Sequence, residues 1–114
     1  MGEPKLIYIA APYSSPWPWV RARNILRSLK AAVALAKKGH IPFSPHAHTC
    51  LWWVYGWGLS WQFYIDMSLH LVRRCDWFLY LEASPGADRE LAEAKKYGKP
   101  VFYSVEEVPE VCEH

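Results

Sequence analysis

The sequence predicts an α/β fold, a small doubly wound and mainly parallel sheet of four to five strands with flanking helices. Three observations carry this expectation. Short β-prone runs, KLIYIAA (5–11), HIPFSP (40–45), DWFLYLEA (76–83) and PVFYS (100–104), alternate with longer segments of helical period. The first and third runs are continuously apolar rather than alternating, the pattern of strands covered on both faces. Glycines, Gly39 and Gly98, stand where two of the helical segments should stop. Strand, helix, strand, helix, strand, helix, strand is the order of a flavodoxin or Rossmann-like sheet.

The elements follow in chain order. Strand one is expected to be central and ends at Pro12. From 20 to 38, Val20, Ile25, Leu29, Val33 and Ala36 recur at spacings of three to five with bases in the gaps, an amphipathic helix whose Arg21, Arg23, Arg27, Lys30, Lys37 and Lys38 read as its solvated face. A short second strand and an aromatic stretch, LWWVYGWGLSW, lead to a helix over 60–74, with Ser60 as cap and Arg73 and Arg74 at the negative pole of its dipole. The aromatic stretch, broken by Gly56 and Gly58, reads as a loop or lid. The third helix is expected over 87–97.

At 114 residues the chain, 1–114, is read as one domain. Hydrophobic residues make up 52% and charged residues 21%, a globular balance. Aromatics reach 16% with seven Trp, more than a core of this size needs, so some rings should line a pocket or a subunit interface. A net charge of +2 is too small to argue for a nucleic-acid or membrane surface. Cys50, Cys75 and Cys112 form no CxxC pair, which excludes a zinc knuckle or disulfide framework by pattern and suits a reducing cytoplasm. The N-terminal apolar run is six residues and is followed by Pro12, too short for a signal peptide, and no apolar run reaches the length that spans a bilayer.

In a doubly wound sheet, ligands gather outside the carboxyl ends of the strands, which directs attention to 11–19, 44–59 and 82–88. The last of these opens SPGADRELAEA (84–94). At about 100° per residue, Ala87, Leu91, Ala94 and Gly98 form the stripe that should pack on the sheet. Glu90 then lies roughly 70° from its centre, while Arg89 and Glu93 are expected in solvent. Glu90 is either a dipole-stabilising first-turn acid or a partly desolvated carboxylate aimed at the crevice. Gly86 permits close approach of backbone N–H groups to an anion and Ser84 adds a hydroxyl, although Ser-Pro-Gly is also an ordinary turn.

IYIAAPY, GHIPFSPH, an Asp in the middle helix, CDWFLYL and SPGADRELAEAKKYGKPV together resemble the nucleoside 2-deoxyribosyltransferase superfamily, including its nucleoside 5′-monophosphate N-glycosidase branch, over about residues 5–104. The resemblance implies that Glu90 is the nucleophile attacking the anomeric carbon of a (deoxy)ribosyl group, through an oxocarbenium-like transition state and a glycosyl-enzyme. It implies that Asp66 assists the leaving base, that Tyr13 orients the nucleophile, and that Pro12 lies in the pocket after strand one. Asp76 matches a family position too, but it directly precedes a buried strand and reads as a cap or turn acceptor. Where the transferases carry an Asp for the sugar 5′-hydroxyl, this chain has Ser84, which resembles the monophosphate hydrolases and turns the expectation toward a 5′-phosphate received by Ser84 and Gly86. Asp88 and Arg89 stand where the family has small or apolar residues; Asp88 has no role in this reading.

His46, His48 and Cys50 have metal-compatible spacing but no evident fourth ligand, and carboxylate-driven glycosidic cleavage needs none. No metal and no cofactor are expected. His46 is either a phosphate or base contact or a local hydrogen-bonding residue. Trp52, Trp53, Trp57 and Trp61 either stack on a base or form an oligomer interface. The expectation is a cytoplasmic homo-oligomeric enzyme that cleaves or exchanges the N-glycosidic bond of a small nucleoside or nucleotide substrate. The alternative is a non-catalytic nucleotide-binding or protein-interaction module on the same fold, favoured by Asp88, Arg89 and the Trp-rich loop.

Overall fold

A computed structural model describes residues 3–12, 17–45 and 59–111. Four strands, β1 (Leu6–Ala10), β2 (Ile41–Phe43), β3 (Trp77–Tyr80) and β4 (Val101–Phe102), alternate with α1 (Pro18–Lys37), α2 (Trp61–Arg74) and α3 (Pro85–Lys96), and a 3₁₀ turn covers Val105–Glu107. The sheet is parallel throughout in the order β2-β1-β3-β4. The register sets Leu6 beside Ile41, Tyr8 beside Phe78, and Leu79 beside Phe102. The chain moves to one side of β1 to make β2 and then to the other to make β3. That reversal opens a crevice between the carboxyl ends of β1 and β3.

Period-two alternation divides the core. Tyr8, Ala10 and Phe78 pack with Val72, Cys75, Ala87 and Ala94 under α2 and α3. Ile7, Ile9 and Leu79 pack on the other face with Ala31 and Leu35 of α1 and with Val108. The continuous apolar run of β1 is buried from Ile7 to Ala11, as a strand covered on both faces requires. β2 is an edge strand, and Ile41 is exposed.

The helix ends obey local chemistry. Ser60 caps α2 by accepting from Phe63 N (3.1 Å), and Ser84 caps α3 by accepting from Ala87 N (3.0 Å). Pro85 occupies the first position of α3, so the Ser-Pro-Gly expected as a separate turn is the cap and first residues of the helix itself. Gly39 and Gly98 follow α1 and α3 with φ of 93° and 70°, the left-handed conformation that ends a helix.

Two helix faces differ from the sequence expectation. α1 turns Asn24, Ser28, Ala31 and Leu35 to the sheet, while Leu29, Val33 and Ala36 of the amphipathic stripe are exposed and Val20 and Ile25 half-buried. The face that meets the sheet combines Leu35 with the smaller or polar Asn24, Ser28 and Ala31, and the larger apolar residues of the opposite face are left outside. In α3 the buried residues are Ala87, Glu90 and Ala94, with Leu91 only half-buried, so Glu90 lies within the packing stripe rather than at its edge. Glu93, expected in solvent, is half-buried and forms an ion pair with Arg73 across the α2–α3 contact. Among the described residues no helix is long and apolar enough to cross a membrane.

Candidate active site at the β1–β3 crevice

Three elements converge on one carboxylate. β1 presents Tyr8 on the α2 and α3 side of the sheet, α2 presents Ser68, and α3 presents Glu90, which is only 7% exposed. Tyr8 Oη donates to Glu90 Oε2 at 2.7 Å, and the Ser68 hydroxyl lies near enough to both groups to favour their charged forms. The Tyr8 ring is fixed by Phe78, stacked at 5.7 Å and 6°, and by Phe43 at 6.1 Å. Its hydroxyl is therefore aimed by packing, not by a flexible stem.

Burial pushes the Glu90 carboxyl up to about 7, against the opposing pull of the hydrogen bonds from Tyr8 and Ser68 and of the Arg89 charge. Burial, and then the nearby Glu90 charge, hold the Tyr8 phenol well above its ordinary value, so it remains a donor. The arrangement supplies a carboxylate that ionises near neutrality with one oxygen held in place. Such a group serves as a nucleophile or as an acid–base pair with bound substrate.

The residues singled out from the sequence fall in different places. Pro12 is half-buried just beyond β1, where Leu81 N donates to Ala10 O at 2.8 Å, so it borders the crevice. Ser84 is half-buried at the start of α3, its oxygen committed to the cap. Gly86 has no positive φ, and a Cβ there would meet nothing within 4 Å among the described residues. Conformational freedom is not what that glycine supplies. Asp66 is exposed and accepts from Gln62 Nε2 at 2.8 Å, one turn earlier on α2. It lies roughly 200° around the helix from Ser68, so the structure does not bring it to Glu90. Tyr13 and His46 lie outside the described residues, as do His48, Cys50, Trp52, Trp53 and Trp57.

Asp88 has a place. It accepts from the Tyr80 hydroxyl, on the side of α3 away from Glu90, and the Tyr80 ring meets Tyr103 edge-on at 5.8 Å. Arg89 lies over the Trp61 ring at 5.6 Å. Asp76 exchanges backbone and side-chain bonds with Leu6: Leu6 N donates to its Oδ2 and its own N donates to Leu6 O, each at 2.8 Å. It ties β1 to β3, as a residue directly before a buried strand can.

Sequence reasoning missed Tyr8 and Ser68, and both left a signal. A tyrosine inside a run buried on both faces must find a partner for its hydroxyl. Ser68 stands at helical spacing with Ile65 and Val72, the stripe that α2 turns inward.

An all-parallel α/β sheet with a buried carboxylate at its topological switch point defines a class of sheet enzymes and binding proteins rather than one activity. Within that class, the chain matches over residues 5–104 the family described as a domain of unknown function, DUF7768, and it belongs to that family. No curated protein matches it. Among solved structures it is similar to a 2-deoxyribosyltransferase from the psychrotolerant bacterium Bacillus psychrosaccharolyticus, described as a biocatalyst for nucleoside synthesis. The TM-score is 0.60 at 20% identity, over 84% of this chain and 69% of that one. The two share the fold.

Proposed function

We propose that the protein cleaves the N-glycosidic bond of a nucleoside or nucleoside 5′-monophosphate, with Glu90 as nucleophile. The observation that carries the reading is the Glu90 carboxylate, buried and held by the Tyr8 hydroxyl on a deoxyribosyltransferase fold. A Glu90 oxygen attacks C1′ as the C1′–N bond breaks, the bonding pair leaves with the base, and a glycosyl ester remains. Water, or the nitrogen of a second base, then attacks C1′ and frees the carboxylate. Two displacements at one carbon retain its configuration.

Tyr8 serves as a positioning residue, because its donated hydrogen bond fixes which oxygen stays bound and which is free. Pro12 borders the sugar, while Tyr13, expected from the sequence to orient the nucleophile, and His46, expected at the base or phosphate, lie outside the described residues. Asp66 carries the weaker support for assisting the leaving base, since its carboxylate faces solvent beside Gln62. Ser84 receives the 5′ end. Its oxygen is used by the cap but its hydroxyl hydrogen is available to a phosphate, and the N–H of Gly86 is the helix-terminal amide that Ser84 does not bind. Hydrolysis of a monophosphate is accordingly the favoured form, in a homo-oligomer of a reducing, cytoplasmic setting that keeps the buried Cys75 thiol intact.

The test is base release from a panel of nucleosides and their 5′-monophosphates, with and without a free acceptor base. We expect release from monophosphates that vanishes in Glu90→Ala and that rises with pH through about 7, where Glu90 ionises. Exchange only in the presence of acceptor would make it a transferase. Saturable nucleotide binding without either reaction would sink the enzymatic reading and leave a binding module.

A further inference from the structure

The face of α1 opposite the sheet is built as a seam. Trp19, Ala22, Leu26, Leu29, Val33 and Ala36 repeat at alternating spacings of three and four, a heptad pattern in which they take the a and d positions. All six are exposed, Trp19 to 66%, Leu26 to 64% and Val33 to 55%. The seam runs about 26 Å along the helix at 1.5 Å per residue. It is not a by-product of the core, because the sheet is served by a separate stripe, Asn24, Ser28, Ala31 and Leu35.

Charge is distributed on one flank only. Arg23, Lys30 and Lys37 occupy every e position, all three are exposed, and none of them forms an ion pair among the described residues. Arg27, just outside that row, is already paired with Glu82. The helix contains no Asp or Glu. The opposite flank, at g, is Ile25 and Ala32.

We propose that this seam docks an amphipathic helix of a partner protein, one with an apolar a/d stripe and acidic residues along the flank that faces Arg23, Lys30 and Lys37. In paired helices the flanking charges choose the partner. A second copy of this chain fits poorly: antiparallel, its e positions would set the same three bases against each other, and parallel, they would face Ile25 and Ala32 with no counter-charge. An anionic bilayer asks for a broad exposed apolar arc; here Ile25 and Ala32 at g are half-buried, so the fully exposed apolar surface is the a/d stripe, the narrower pattern of a helix–helix contact. The surface lies on the α1 face of the sheet, away from Glu90, which faces α2, so docking is separable from the activity proposed above.

The probe is a synthetic helix of about three heptads with Leu at a and d and Glu at e and g, labelled and titrated with the full chain. Its counterpart carries Lys at e and g. We expect saturable binding of the Glu peptide, weakened about tenfold in Leu26→Ser and in the double variant Arg23→Glu, Lys30→Glu, with the double variant now taking the Lys peptide. All three substituted positions are exposed, and unchanged circular dichroism and melting verify the fold. The proposal is overturned if neither peptide binds, or if both bind equally. It is also overturned if Leu26→Ser abolishes self-association in sedimentation, which assigns the face to a second copy, or abolishes binding to phosphatidylserine vesicles that bind in place of the peptide.

Discussion

Glu90 is where stability and chemistry oppose each other. Below about pH 4.5 its carboxyl is neutral both folded and unfolded, and burial costs little. Between 4.5 and about 7 the folded chain keeps a proton that the unfolded chain has released, so stability falls as pH rises, and above that it is level. A shift of this size corresponds to about 3 kcal/mol, at 1.36 kcal/mol per pH unit. Glu90→Gln keeps an acceptor for Tyr8 but never ionises. Thermal unfolding should therefore find it more stable than the parent at pH 8 and equal at pH 4; equal midpoints at pH 8 would refute the burial argument. The same residue was legible as a candidate from its place in the first turns of α3, but its partner was not. Tyr8 is 82 positions away in the chain, and only the packing of α3 on the sheet makes them neighbours.

At the level of elements, both glycine stops were visible in the sequence, yet their surroundings differ. Gly39 combines φ of 93° with a close approach, since an added Cβ would lie 3.0 Å from Val111 Cβ and Cγ2. Gly98 has φ of 70° and nothing within 4 Å of an added Cβ among the described residues. Gly98→Ala should cost about 1 kcal/mol, the price of a left-handed side chain, and Gly39→Ala clearly more, because Val111 must shift as well. Urea unfolding of the two variants measures the difference, and equal losses would show that the Val111 contact is soft. The helix faces were less legible. Periodicity finds that a stripe exists, but α1 has two, and choosing the one that meets the sheet depends on how closely the helix approaches. Hydrophobicity favoured Leu29 and Val33; close packing chose Ser28 and Ala31.

Across the whole molecule, the segment after β4 closes the α1 side of the sheet through contacts that no local pattern announces. Lys38 Nζ donates to Val105 O and Val108 O, both at 2.7 Å, and Val111 N donates to Lys38 O at 2.8 Å. His40 accepts from Lys5 N at its Nδ1 and donates from Nε2 to Pro109 O at 2.7 Å, a pairing that fixes its tautomer. Val108, wholly buried, completes the core beneath. Lys38→Met keeps the aliphatic stem and removes both charge-assisted bonds, with an expected loss of about 2 kcal/mol. Hydrogen exchange should then speed up at Val108 and Val111 while Ile7 and Ile9 change only with the global loss; unaltered exchange at 105–111 would mean the segment is held by Val108 alone.

Residue order by itself determined the alternation of strands and helices, the central place of β1, the cap at Ser60 and the glycine stops, because each is enforced by groups within a few positions of one another. It also marked Glu90. Tertiary structure alone decided that Glu90 is held by Tyr8 with Ser68 nearby, that Asp66 stands apart, that Asp88 belongs to Tyr80, and that the larger apolar side chains of α1 point outward. The reason is that a side chain's environment is set by which elements approach it and how closely, and those approaches join residues far apart in the chain.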